Sequence, residues 1–166
     1  MPDVFLDADT IRASTFVRHI ELHDTLGSTN DRAVDLARDA NIELPAFIAA
    51  RHQTAGRGRG DHKWAANEGA LTFSVLLEPK SFRVELEDWP KLALTTGVAL
   101  CDALALEFNP QSEIRNSKSP PRLSIKWPND IILDGAKLAG ILIESPGGPA
   151  PAKNRVIIGI GINVNN

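Results

Sequence analysis

The sequence predicts an α/β (α+β) fold, a mixed β-sheet flanked by helices, and three observations carry that reading. Short apolar or alternating runs recur along the chain, at 16–23, 46–51, 70–77, 122–127, 137–144 and 155–164, each bounded by turn residues. One long segment, from Asp88 to about Phe108, has the length and composition of a helix instead. Asp134-Gly135, set between Ile131–Leu133 and Lys137–Glu144, is a type I′ hairpin signal and therefore demands antiparallel pairing. A purely parallel doubly wound sheet is excluded.

Taken in order, residues 1–15 are mixed and acidic and are expected to form an irregular arm. The segment 16–23 alternates, with Phe16, Arg18, Ile20 and Leu22 on one side, and reads as a strand. Residues 31–40 place Ala33, Val34, Leu36 and Ala37 at helical spacing, with Ser28 or Thr29 as N-cap and Asp31 in the first turn. Residues 70–77 (ALTFSVLL) are apolar on both faces and belong in the middle of a sheet. Asp88 caps the long helix and Pro90 suits its first turn; its many leucines predict a well buried element. Residues 109–121 and 145–154 are Pro-rich or Gly-rich loops. In 155–164, Gly159 and Gly161 interrupt a strand that something approaches closely.

Composition bounds the functional classes. The chain has 166 residues, 43% of them apolar and 23% charged, which fits one globular domain. Its formal net charge of −3 disfavours a general nucleic-acid binder. Cys101 is the single cysteine, so an intrachain disulfide and a four-cysteine zinc site are both excluded and a reducing compartment, the cytoplasm, is expected. No secretory leader pattern and no run of 18 apolar residues is present, so no membrane association is expected. The four histidines show no metal-ligand spacing, and neither a Walker GxxxxGK[ST] nor a GxSxG pattern occurs.

Against this acidic balance, positive charge concentrates in RHQTAGRGRGDHKW, residues 51–64. Gly56, Gly58 and Gly60 alternate with Arg57 and Arg59. Glycine allows close backbone approach, successive N–H groups can form an anion nest, and the guanidinium fork grips carboxylate or phosphate. A small anion is the functional reading; a solvated surface loop or an RGG-like nucleic-acid contact is the alternative. Three further polar clusters interrupt apolar elements: 27–30, 126–130 and 159–163. Lys126 stands between Ile125 and Trp127, where a buried ammonium would need an anionic partner. Asn129-Asp130 reads either as a turn or, through Asp130, as a weak Mg²⁺ candidate. Trp64 reads as core or as an apolar cover over an aromatic base, and Lys137 as decoration of the hairpin.

Gly27-Ser28-Thr29-Asn30, QTAGRGRGDHKW, IKWPNDIILDGAKLAGILIE and IGIGINVNN stand in an order and spacing that resembles biotin protein ligases, over 16–166. The resemblance implies a catalytic fold related to class II aminoacyl-tRNA synthetases. It implies that ATP, Mg²⁺ and biotin give biotinyl-5′-AMP, whose biotinyl group passes to a lysine of a biotin carboxyl carrier domain. Carried over by position, Ser28, Thr29, Asn30, Gln53, Arg57, Gly58, Arg59 and Lys126 would bind biotin. Arg59, Trp64, Lys126, Asn129, Asp130 and Asn163 would bind ATP, and Lys126 and Arg59 would serve catalysis. The metal ligands are left open.

Where relatives carry further arginine, Gly60-Asp61-His62 stands here. No winged-helix segment precedes the motifs, so DNA binding is not expected, and the C-terminal β-domain usual in the family does not follow them in this sequence. Homodimerisation through a sheet edge is a family habit that no residue here decides. A lipoate-type ligase, a biotin- or adenylate-binding module without transfer, and a nucleic-acid-binding domain are the rival readings.

Overall fold

The computed structural model describes residues 6–65, 69–107 and 122–165. A seven-stranded sheet runs through them in the order β1-β2-β3-β7-β6-β5-β4. The strands are β1 (His19–Leu26), β2 (Ala46–Gln53), β3 (Ala70–Leu77), β4 (Leu123–Lys126), β5 (Asp130–Leu133), β6 (Ala136–Glu144) and β7 (Val156–Asn163). Only β1 and β2 pair in parallel, with helix α2 (Thr29–Leu36) as their crossover; every other pair is antiparallel. The sheet is mixed, as the Asp-Gly hairpin requires. Asp134 and Gly135 have φ of 48° and 88°, both positive as a type I′ turn needs, and Leu133 pairs with Ala136 across it.

Strand parity sorts the core into two layers. Leu76 of β3 and Ile157 of β7 join Ala33, Leu36 and Ala37 of α2. Leu71 and Phe73, one residue out of phase on β3, join Ile131, Ala139 and Ile162 in a second cluster that also includes Leu100 and Cys101. Those last two belong to α3 (Leu92–Glu107), which therefore packs on the opposite face from α2. β3 lies inside the sheet, between β2 and β7, as its composition predicts. On its α2 face it carries Thr72 and Ser74, both fully buried, rather than large apolar groups.

Helix α2 is the element that positions the site, and it is tied at three points. At its C-terminal end the buried Arg155 donates from Nη1 to the carbonyls of Ala37 (3.0 Å) and Asp39 (2.7 Å), so the helix's free carbonyls and a buried cation satisfy each other. In its middle, Arg32 donates Nε and Nη2 to the two carboxylate oxygens of Glu21 on β1, each at 2.8 Å. At its N-terminal end the side chains of Thr29 and Asn30 are buried against β2 and β3.

Five expectations are corrected. The arm holds a helix, α1 (Ala8–Ser14), capped by Asp7, whose carboxylate accepts from the amides of Asp9 and Thr10. β1 starts three residues later than the alternation suggests, because its register is set by pairing His19 with Ala46; Phe16 is left exposed and meets Phe82 instead. Helix α2 begins at Thr29 and stops at Leu36 rather than spanning 31–40. The Asp88-Trp89-Pro90 segment forms a 3-10 turn within Leu86–Lys91, and α3 follows it. That helix is not buried all round, since Leu94, Val98 and Leu106 are exposed; apolar count alone overstates burial when a sheet covers one helix face. The loop expected at 109–121 lies outside the described residues.

Candidate functional site

On the α2 face of the sheet, the ends of β2, β4 and β5 and the middles of β6 and β7 enclose a cavity of about 740 Å³. Ser28, Thr29, Asn30, Gln53, Arg57, Gly58, Arg59, Trp64, Lys126, Asn129 and Asp130 all line it, so 11 of the 12 residues singled out in the sequence come together. Asn163 does not line it. Its amide Nδ2 donates to the carbonyl of Lys137 at 3.0 Å, at the edge of β7.

The glycine-rich segment is a small hairpin. The Gly58 amide donates to the His62 carbonyl (2.8 Å), the Trp64 amide to the Gly56 carbonyl (3.0 Å), and Arg57 bridges to Lys63. Two of the amides expected to form an anion nest are therefore spent across the loop. Its glycines serve different needs. Gly60 has φ of 63° at the tip, whereas a Cβ on Gly56 would stand 2.5 Å from the Trp64 carbonyl oxygen.

The hairpin delivers Trp64 onto the sheet. Gly140 and Gly161 are cross-strand partners on β6 and β7, and together they leave a slot without side chains. The indole lies in it, so a Cβ on Gly161 would be 2.5 Å from Trp64 Cζ2, and one on Gly140 3.3 Å from Cζ3. Trp64 Nε1 is buried there without a hydrogen-bond partner among the described residues. Lys137 Nζ sits 5.7 Å from the indole centroid and 2.8 Å from Asp130 Oδ1. Lys137 is thus part of the cavity wall rather than decoration of the hairpin.

The α2 end of the cavity is a closed polar network. Gln53 Oε1 accepts from the Thr29 amide (2.7 Å) and lies 3.1 Å from the Thr29 hydroxyl oxygen. The buried Ser74 hydroxyl lies 2.8 Å from Thr29 Oγ1 and 2.6 Å from Asn30 Oδ1. Asn30 Nδ2 donates to Glu144 Oε2 (2.6 Å), and Arg57 donates to both Glu144 oxygens at 2.6 and 2.8 Å. Arg57 also meets Asp31 at 2.8 Å. Glu144, more than Asp31, raises the Arg57 pKa above the ordinary guanidinium range. The arginine expected to grip a ligand's anion grips two carboxylates of the protein itself. Ser28 is the N-cap of α2 by backbone conformation, but its side chain makes no capping bond.

The other end is cationic. Lys126, from β4, and Arg59, at the hairpin tip, both line the cavity and are exposed, and neither forms an ion pair among the described residues. One cavity therefore has a polar, charge-matched end and an end where Lys126 and Arg59 are uncommitted; the exposed Lys63 and Asp61 line the cavity as well. Asn129 is held by its Nδ2 on the Ile141 carbonyl (2.9 Å). Among the described residues no group of three His, Cys, Asp or Glu could hold a metal ion, and no helix is long and apolar enough to cross a membrane.

Gly140, Ser74, Lys137 and Glu144 complete the site without having been assigned to it from sequence, while Gly159 and Gly161 are approached closely, by Asn30 and Trp64, as expected. Parity carries a signal for some of them: Gly140, Leu142 and Glu144 share one face of β6, so a charge falls on the face that the glycines leave open.

Comparisons with known proteins agree with this geometry. The model of the biotin/lipoate A/B protein ligase family matches residues 23–163. A biotin–[acetyl-CoA-carboxylase] ligase of Paracoccus denitrificans is 37% identical over 137 residues, 82% of this chain and 51% of that protein. The ligase of the same description from Mycobacterium tuberculosis is 36% identical over 156 residues, 93% of this chain and 52% of its own length. Among solved structures, a biotin protein ligase from Leishmania major in complex with biotinyl-5-AMP superposes with a TM-score of 0.70 at 29% identity, covering 89% of this chain and 58% of that one. One from Aquifex aeolicus in complex with biotin and ATP gives 0.63 at 33%, covering 90% and 53%. The chain spans about half the length of the curated relatives it matches. Strand order, site geometry and matched sequence lead to one conclusion: this chain belongs to the biotin/lipoate A/B protein ligase family, and its sheet and helices form the catalytic fold of the biotin protein ligases.

Proposed function

We propose that the chain carries the adenylation centre of an ATP-dependent biotin protein ligase, which makes biotinyl-5′-AMP and passes the biotinyl group to a lysine of a biotin carboxyl carrier domain. The observation that carries the reading is the division of the cavity. Arg57 is already matched by Glu144 and Asp31, so the α2 end suits an uncharged polar head group such as the ureido ring. Lys126 and Arg59 suit the carboxylate and phosphate at the other end. A ligand with a neutral polar head and an anionic tail fits both.

The chemistry follows from charge. A biotin carboxylate oxygen attacks the α-phosphorus of ATP, the bond to the bridging oxygen breaks, and pyrophosphate leaves with that electron pair. Two anions must meet, and Lys126 and Arg59 offset their repulsion most as charge builds on the α-phosphoryl oxygens. Ser28, Thr29, Asn30 and Gln53 hold the head group, which places the carboxylate for attack. The neutral acceptor lysine then attacks the mixed anhydride carbonyl, forms the amide and expels AMP, with no covalent enzyme intermediate. The hairpin 56–64 shields the adenylate from water meanwhile.

Trp64, with Asn129 and Asp130, forms the nucleotide end of the wall, and Asn163 acts there only through the Lys137 carbonyl. Asp130 would offer Mg²⁺ one carboxylate, and the ion would supply positive charge against the phosphates. Release of Lys137 from Asp130 would accompany that binding.

Incubation with biotin, Mg²⁺-ATP and a carrier domain tests the reading. A biotin-sized mass gain on one carrier lysine is expected. Carrier left unmodified, with no biotin bound by the chain, would remove the proposal.

A further inference from the structure

Glu144 ends β6, and neither the glycine-rich loop nor the Lys126 strand contains it. Its two oxygens nevertheless collect three hydrogen bonds: Asn30 Nδ2 on Oε2 at 2.6 Å, and Arg57 Nη1 and Nη2 on Oε1 and Oε2 at 2.6 and 2.8 Å. Arg57 and Asp31 join the first turn of α2 to the first limb of the hairpin directly, at 2.8 Å, and Glu144 ties both to β6. We propose that Glu144 is a positioning residue for the head-group end of the site, holding the Asn30 amide in one orientation and pinning Arg57 so that the limb 56–58 is fixed before a ligand arrives. The proposal deepens the biotin reading of the cavity and rests on it.

Donor and acceptor capacity sets the arrangement. An ionised carboxylate only accepts, so Asn30 must turn its NH₂ to Glu144 and its carbonyl oxygen to Ser74. Asn30 Oδ1 in turn has no proton to give, so it takes the single Ser74 proton. Ser74 Oγ is left as an acceptor towards Thr29, whose amide already defines the direction of Gln53. One charge at position 144 therefore fixes the polarity of a chain that runs through Asn30 and Ser74 to the Thr29 hydroxyl. A glutamine there both donates and accepts, and that constraint disappears. The same charge is the larger of the two that hold Arg57, with the planar fork engaged on both oxygens, a geometry lysine does not reproduce. Space for the arrangement comes from β7. Gly159 faces Leu142 across the sheet, and a Cβ on it would stand 2.9 Å from Asn30 Cγ and Nδ2.

Glu144→Gln tests this in two ways. In the ligand-free protein, amide exchange at 56–60 is expected to accelerate about tenfold, with exchange in β7 unchanged. In biotin-dependent pyrophosphate release, KM for biotin is expected to rise about tenfold while KM for ATP and kcat stay within about twofold, a split that general destabilisation does not produce. The double variant Arg57→Ala/Glu144→Gln should fall short of the sum of the two single variants, because they share the Arg57–Glu144 contact while the Asn30 and Asp31 contacts are lost separately. Where Glu144→Gln fails to fold, Arg57→Lys keeps the charge but loses the fork and should shift both readouts in the same direction. Unchanged exchange, or faster exchange with an unchanged biotin KM, overturns the proposal. A wild-type chain without biotin-dependent turnover defeats the biotin reading instead, and exchange still decides the role of Glu144.

Discussion

Gly159 and Asn30 occupy one place between them: the asparagine side chain fills the volume that a side chain on the glycine would take, its Cγ and Nδ2 2.9 Å from where that Cβ would stand. The substitution Gly159→Ala therefore forces Asn30 away from both Ser74 and Glu144. Since α2 is tied down at Glu21 and Arg155, the helix cannot simply step back. Biotin affinity measured by calorimetry is expected to fall at least tenfold, with about 1–3 kcal/mol of stability lost in urea unfolding. Unchanged affinity would mean that Asn30 has another arrangement with the same function.

The Gly140–Gly161 pair makes a second, independent prediction. Gly161→Ala expels the Trp64 indole from its slot, where it is held against β6 and β7. Steady-state tryptophan emission should shift to longer wavelength as the ring enters water, and Trp64→Phe in the same background should abolish the shift. Trp89 and Trp127 give the constant remainder.

The ion pair between Glu21 and Arg32 makes stability depend on pH in a definite window. Arg32, His23 and His19 hold the Glu21 carboxyl at about 2, against an ordinary value of 4.5. Its folded pKa lies below the unfolded one, so its contribution is complete above about pH 4.5 and is lost as pH falls towards about 2. The stability difference between wild type and Glu21→Gln should be about 1–2 kcal/mol near pH 6, allowing for solvent screening, and should close as pH approaches 2.

Arg155 supports α2 from below. Arg155→Leu leaves the carbonyls of Ala37 and Asp39 without their donor and should cost about 2–3 kcal/mol in thermal or urea unfolding. If the helix end is satisfied by water instead, the loss will be below about 1 kcal/mol.

What the sequence made legible was local or punctuated. Asp134-Gly135 announces its turn because few other pairs tolerate positive φ twice. The residues at 28–30, 53–64 and 126–130 stand out because glycine, arginine and a strand lysine are unusual where they fall. Ser74 and Glu144 do not stand out. A serine in an apolar strand and a glutamate at a strand end are ordinary until β3, β6 and α2 are brought together, which is a matter of long-range register. The sequence also overstated the burial of α3, for which side-chain composition says nothing about how many faces find a partner. Arg57 looks like a ligand group in the sequence because the carboxylates that occupy it lie 26 and 87 residues away in the chain.

The proposed role of Lys126 and Arg59 is to supply the charge for joining a carboxylate to a nucleotide. It is tested most directly by pyrophosphate release from Mg²⁺-ATP, with and without biotin, in wild type, Lys126→Ala and Arg59→Ala. Biotin-dependent release by wild type, reduced at least a hundredfold in Lys126→Ala and about tenfold or more in Arg59→Ala, is the expected result. Equal biotin-dependent release by all three proteins would contradict it.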